Sequence, residues 1–173
     1  MITVLGPTDF RVMAWANGKG QTVEMARAER DGTMLYRLSR ASVVENGDFS
    51  IFAGVERNLT VVSGPGFELV GQGVHLSARP MQPVAFAGDV AIRAEGVAAA
   101  SDDFNVMTAR SLPKPVVRVI HAPTRLEPTK GGMLAIYDAQ AQSMILADEA
   151  VNVAAFPVIA VFLDLNQIGT PSI

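Results

Sequence analysis

The chain has 173 residues, 49% of them hydrophobic and only 18% charged, with a net charge of −3 and a mean hydropathy of +0.27. That is enough apolar material for one compact domain or two small β-subdomains, on a surface too nearly neutral to attract nucleic acid or an anionic membrane in general. The absence of cysteine excludes disulfide frameworks, thiolate zinc sites and thiol catalysis together.

From the start, Met1 to Arg11 lacks the basic and apolar regions of a secretory signal, so a cytoplasmic location is expected. Helical periodicity is almost absent, limited to Thr8–Arg11 and Gly96–Ser101. Alternating or continuously apolar runs predict strands at Arg11–Trp15, Thr22–Glu29, Leu35–Val44, Leu59–Ser63, Phe67–Val70, Val74–Ala78 and Val84–Phe86. Further strands are predicted at Val90–Ala94, Asn105–Ala109, Val116–His121, Gly132–Asp138, Ser143–Leu146 and Val158–Leu165. Turn residues separate them, as in Arg30-Asp31-Gly32, Glu45-Asn46-Gly47-Asp48 and Ser63-Gly64-Pro65-Gly66. So many short strands predict an all-β sandwich or barrel. Ser111-Leu112-Pro113-Lys114-Pro115 reads as an extended connector, dividing the chain into residues 1–110 and 111–173. The most apolar run, Val153 to Leu163, is interrupted by Pro157 and falls short of the roughly 20 residues a membrane helix needs; it reads as a buried strand pair.

Trp15-Ala16-Asn17-Gly18-Lys19-Gly20-Gln21-Thr22-Val23-Glu24 carries the first candidate site. A phosphate-binding P-loop is excluded, because the lysine lies between the glycines and a strand pattern follows. The dinucleotide fingerprint fails for want of a third glycine opening a helix. A hairpin turn through Asn17-Gly18 remains, as does close approach of a ligand to glycine backbone.

Eleven of the fourteen basic residues are arginine, whose planar fork suits carboxylates, although a GC-rich genome accounts for that choice as simply. Period-two geometry puts Arg37 and Arg40 on opposite faces of one strand. Arg57 follows a turn-like entry into the strand at Leu59. Either Arg37 or Arg57 suits a carboxylate clamp, and the competing reading for each is a structural salt bridge to Glu24, Glu45, Glu56 or Asp89. His75 and His121 have no ligand-spaced partners, so no metal or other cofactor is expected. No nucleophile motif of the G-x-S-x-G type occurs. Asp102-Asp103 could hold acid/base chemistry if buried, but paired acids in a polar turn read more simply as solvated loop residues, and the scattered methionines as core filler.

Trp15 to Glu24, Tyr36-Arg37-Leu38-Ser39-Arg40-Ala41 and Gly47-Asp48-Phe49-Ser50-Ile51-Phe52-Ala53-Gly54-Val55-Glu56-Arg57 occur in that order. Phe86-Ala87-Gly88-Asp89 and Asp103-Phe104-Asn105-Val106-Met107-Thr108-Ala109-Arg110 follow. In these motifs the chain resembles the HutD/Ves family over residues 11 to 110. The resemblance implies a bicupin: two small packed β-barrels, the first half carrying the motifs and the second completed by residues 111–173, in a bacterial cytoplasmic protein. It also implies a non-enzymatic regulator accompanying histidine utilisation, which senses a pathway acid such as urocanate or formylglutamate. The chain departs from the family pattern at Lys19, where a third glycine is usual, and at Tyr36, Glu56 and Ala109, where tryptophan, aspartate and a second arginine are usual.

On these grounds the expected function is small-carboxylate binding. Arg57 would grip the carboxylate, with Arg37 the second choice. Asn17 and the amides of Gly18 and Gly20 would donate at the rim, Thr22 and Ser50 would add hydroxyls, and Trp15 and Phe52 would cover an apolar part of the ligand. The alternatives are a metal-free cupin isomerase or lyase with His75 or Glu24 as base, and a structural partner protein dimerising through barrel edges.

Overall fold

A computed structural model describes residues 1–15, 18 and 20–166. In chain order it forms β1 (Ile2–Leu5), a single 3-10 turn (Pro7–Asp9), β2 (Arg11–Ala14), β3 (Gln21–Arg30), β4 (Thr33–Val43) and β5 (Gly47–Asp48). Next come β6 (Val55–Ser63), β7 (Phe67–Gly71), β8 (Val74–Ala78), β9 (Val84–Ala87), β10 (Ile92–Glu95) and β11 (Ser101–Ala109). The remainder is β12 (Val116–Ile120), β13 (Thr124–Leu126), β14 (Met133–Asp138), β15 (Ser143–Ala147), β16 (Val151–Val153) and β17 (Val158–Leu163). The all-β expectation holds. The short expected helices reduce to the turn at Pro7–Asp9, and the stretch after Gly96 is irregular up to the start of β11.

The chain divides into two compact units, Arg11–Ala109 and a second made of Met1–Phe10 with Arg110–Ile173. The first ten residues therefore do not belong with the N-terminal half. β1 pairs antiparallel with β15, Ile2 opposite Ala147 and Leu5 opposite Met144. The N-terminal ammonium adds ion pairs to Asp148 and, at 2.8 Å, to Glu149. Both are exposed and screened by solvent, so the backbone ladder contributes more than they do.

In the unit Arg11–Ala109, a six-stranded sheet of order β2-β3-β4-β11-β6-β9 faces a four-stranded sheet of order β5-β10-β7-β8. Leu59 and Val61 of β6 and Phe86 of β9 pack with Phe67, Leu69, Ala78, Ile92 and Ala94 of the smaller sheet to form its core. The second unit repeats the plan with a five-stranded sheet, β1-β15-β14-β17-β12, and the ribbon β13-β16. Leu126, Leu134, Ile136, Val153, Val158 and Ala160 share its core. Among the described residues these are open sheets, not closed barrels; each unit is a two-sheet cupin-type sandwich. The expected strand pair within Val153–Leu163 also resolves differently, since β16 pairs with β13 while β17 pairs with β12 and β14.

Two strands begin earlier than their apolar runs suggest. β6 starts at Val55 and β11 at Ser101, and the two run antiparallel with Arg57 opposite Met107. The segment leading into β6 is held against the turn after β9. The Phe52 amide donates to the Gly88 carbonyl at 2.8 Å, the Gly88 amide to the Val55 carbonyl at 2.7 Å, and the Gly54 amide to an Asp89 carboxylate oxygen at 3.0 Å. A Cβ on Gly88 would lie 2.6 Å from the Phe52 carbonyl and 2.8 Å from that of Val55. Neither backbone atom can yield cheaply, so Gly88→Ala is expected to cost about 1–3 kcal/mol, the usual range for overpacking, when unfolding is followed by denaturant titration.

Candidate functional site

Strand register builds the site. On β4, Arg37, Ser39 and Ala41 project to one face, and their partners across the ladder on β11 are Met107, Asn105 and Asp103. Arg57 on β6 lies on the far side of Met107 from Arg37. Thr22 of β3 is opposite Ala41. With the loop and edge residues from Val44 to Phe52, these side chains line a cavity of about 670 Å³ that lies wholly within the unit Arg11–Ala109.

Arg57 is one of the lining residues and is 7% exposed. Its guanidinium carbon lies 5.0 Å from the centre of the Phe86 ring, 5.3 Å from Phe49 and 5.4 Å from Phe52. Such ring contacts favour a desolvated cation by up to about 2 kcal/mol each, yet they supply no countercharge. Arg57 Nη1 donates to the Ser50 carbonyl at 3.3 Å and Nη2 to Asn105 Oδ1 at 3.1 Å, while Nε has no hydrogen-bond partner. Among the described residues, no carboxylate comes within ion-pair distance. Burial lowers the Arg57 pKa to about 10; Asp103 opposes that shift and Arg37 adds to it. The group remains a cation at neutral pH.

Arg37 differs. Its Nε donates to Glu24 Oε2 at 2.8 Å, and both side chains are largely buried. The salt-bridge reading thus holds for Arg37, whereas Arg57 has no such partner.

Asn105 carries the contact onward. Its Oδ1 accepts from Arg57, and its Nδ2 donates to Asp103 Oδ1. Asp103 is 1% exposed, and its Oδ2 has no hydrogen-bond partner. Burial raises its pKa to about 7; the Asn105 hydrogen bond and the Arg57 charge oppose the rise, and Asp102 adds to it. Asp103 is therefore no solvated loop acid. A strand beginning at Asn105, as the apolar run suggests, leaves Asp102-Asp103 outside it, whereas β11 begins at Ser101. Begun at Ser101, the alternation of Asp103, Asn105 and Met107 with Phe104, Val106 and Thr108 would have placed both polar side chains on the face of Arg57. Phe49 and Phe86, inside the same motifs, are ring partners of the arginine that nothing in the sequence singles out.

The other expected residues divide. Trp15, Thr22, Ser50 and Phe52 line the cavity with Arg57 and Arg37. Trp15 Nε1 donates to Thr22 Oγ1 at 2.9 Å, which fixes the indole and occupies the hydroxyl as an acceptor. Ser50 meets Arg57 through its carbonyl, not its hydroxyl. Gly18 and Gly20 are not among the lining residues. The Gly18 amide donates to the Trp15 carbonyl at 3.0 Å, and with φ at 70° this glycine serves the turn. A Cβ on Gly20 would lie 3.0 Å from the indole ring, so this glycine makes room for Trp15. Asn17 lies outside the described residues, as does Lys19. His75 is exposed, lies 3.4 Å from Glu68 and does not line the cavity; Glu24 stands behind Arg37. Among the described residues no three metal-ligating side chains cluster, and no helix is long and apolar enough to cross a membrane.

Fold and site define a two-unit, cupin-type β protein with a cavity inside one unit that a buried arginine lines. The HutD family model matches residues 7–159, and the chain belongs to that family. It is similar to PA5104, a conserved protein of unknown function from Pseudomonas aeruginosa PAO1, at 29% identity and a TM-score of 0.81, covering 95% of this chain and 99% of that one. It is also similar to HutD from Pseudomonas fluorescens SBW25 (formate condition), at 26% identity and a TM-score of 0.77, covering 94% of each. AerE from Microcystis aeruginosa, 10% identical with a TM-score of 0.55 over 89% of this chain and 96% of its own, shares the fold alone.

The raised Asp103 pKa has a definite sign. The folded chain holds this proton more tightly than the unfolded chain, so the stability linked to it is complete below about pH 4 and is lost as pH rises through about 7. Asp103→Asn, which cannot ionise, is expected to gain stability relative to the native chain between those limits and to hold a constant difference above them. Denaturant unfolding of both proteins at a series of pH values measures that difference.

Proposed function

We propose that the chain is a small-carboxylate-binding protein in which Arg57 receives the carboxylate, and that it serves as a regulator of histidine utilisation sensing an acid of the urocanate or formylglutamate type. The observation that carries this reading is a buried arginine in a cavity wall with no ion pair among the described residues. Leaving a buried cation unpaired costs several kcal/mol, a cost that a bound anion would offset. The Phe49, Phe52 and Phe86 rings exclude water around the guanidinium, which strengthens its pull on an anion. Trp15 offers a flat apolar wall, and Ser39, Ser42 and Asn46 offer neutral polar contacts.

An isomerase or lyase acting through His75 or Glu24 has less support, because a base must come within hydrogen-bond reach of the proton it removes, and neither residue lines the cavity.

Thermal unfolding against urocanate, formylglutamate, glutamate, formate and histidine tests the reading. A bound acid present at 100 times its Kd should add about 2.7 kcal/mol of stability. Arg57→Ala should abolish the response. No shift with any of these acids, or a shift that survives Arg57→Ala undiminished, would sink the assignment.

A further inference from the structure

We propose that the cavity takes up its anion together with one proton, and that Asp103, linked to Arg57 through Asn105, is the group that receives it. This rests on the carboxylate-binding reading and adds a requirement to it.

The geometry of the link admits one orientation. A guanidinium only donates, so Asn105 must turn its carbonyl oxygen to Arg57, which leaves its NH2 group to face Asp103. Asp103 Oδ1 is therefore an acceptor in either protonation state. Oδ2, without a hydrogen-bond partner, is where a proton can sit without breaking the link. In the absence of ligand and above about pH 7, Asp103 is a buried negative charge connected to Arg57, one amide away. A carboxylate arriving at Arg57 places a second negative charge in the same desolvated space. Like charges there disfavour joint ionisation, so Asp103 takes a proton from solvent at Oδ2 while the ligand keeps its full charge on the arginine. No covalent bond breaks, and the net charge of the cavity is the same before and after.

The surrounding groups leave Asp103 as the carrier of this linkage. Arg57 faces it from β6. Arg37 lines the same cavity from β4, with its charge balanced by Glu24 of β3. Asp102 adjoins it on β11, and Glu45 and Asp48 line the cavity from the segment after β4. Neither histidine lines the cavity. The raised affinity of Asp103 for protons places the effect near neutral pH.

Trp15 is the only tryptophan of the chain and stands in the cavity wall, so its fluorescence reports on the site. The full chain is titrated with sodium formate, which has no group ionising near neutrality, from about pH 6 to about pH 8.5 at constant ionic strength. The expected result is saturable binding whose affinity falls with rising pH, approaching a ten-fold loss per pH unit, the limit for one linked proton. Asp103→Asn is expected to bind formate with an affinity that does not change over the range. Saturable binding by the native chain with an affinity constant within about two-fold would overturn the proton linkage and leave the carboxylate reading standing. An undiminished pH slope in Asp103→Asn would also overturn it. No saturable response at any pH removes both. The native profile decides the matter alone should the variant fail to fold.

Discussion

A buried cation with no ion pair among the described residues is the constraint around which this unit is organised. Arg57 occupies a strand position whose neighbours along the same face, Leu59 and Val61, belong to the hydrophobic core. Continuing that pattern with another aliphatic side chain would have been the simpler way to stabilise the sandwich. Instead the chain surrounds the guanidinium with three phenylalanine rings, one backbone carbonyl and one amide oxygen. Each contact lowers the cost of holding the charge, and none neutralises it. Positions that sacrifice stability in this way are characteristic of functional sites.

The motifs that stand apart in the sequence meet around this residue. Gly88 and Asp89 fasten the segment that brings Phe49, Ser50 and Phe52 to Arg57, and the Phe49 amide donates to the Ile92 carbonyl at 2.8 Å. Asn105 and Asp103 complete the polar side from β11. Arg37, from β4, is restrained by Glu24 and contributes positive potential without standing unpaired. The turn before β3 has a supporting part: Gly20 makes room for the indole, and Thr22 fixes its edge. Its glycines act through Trp15.

The strands are legible because they rest on a local pattern, alternation of apolar and polar residues between turn signals. What was not legible depended on pairing between distant segments. Nothing near Ile2–Leu5 reveals that its partner is β15, more than a hundred residues away, and so the first ten residues were placed in the wrong unit. The salt bridge from Arg37 to Glu24 was one of several possible pairings, and only the β3–β4 register selects it. Asp103 was lost to a boundary error: two consecutive acids look like a turn, and burial of one of them follows from the strands on either side. Sheet closure was overestimated because strand number and spacing do not distinguish an open sandwich from a barrel.

The central claim is that Arg57 is retained for an anion at the expense of the fold. Arg57→Met, which keeps side-chain length and removes the charge, tests it through the unfolding free energy of the ligand-free chain. The variant should lie within about 1 kcal/mol of the native chain, or be more stable than it, and should no longer be stabilised by small carboxylates. A ligand-free variant destabilised by several kcal/mol that still gains stability from those acids would contradict it, and would make Arg57 a structural residue.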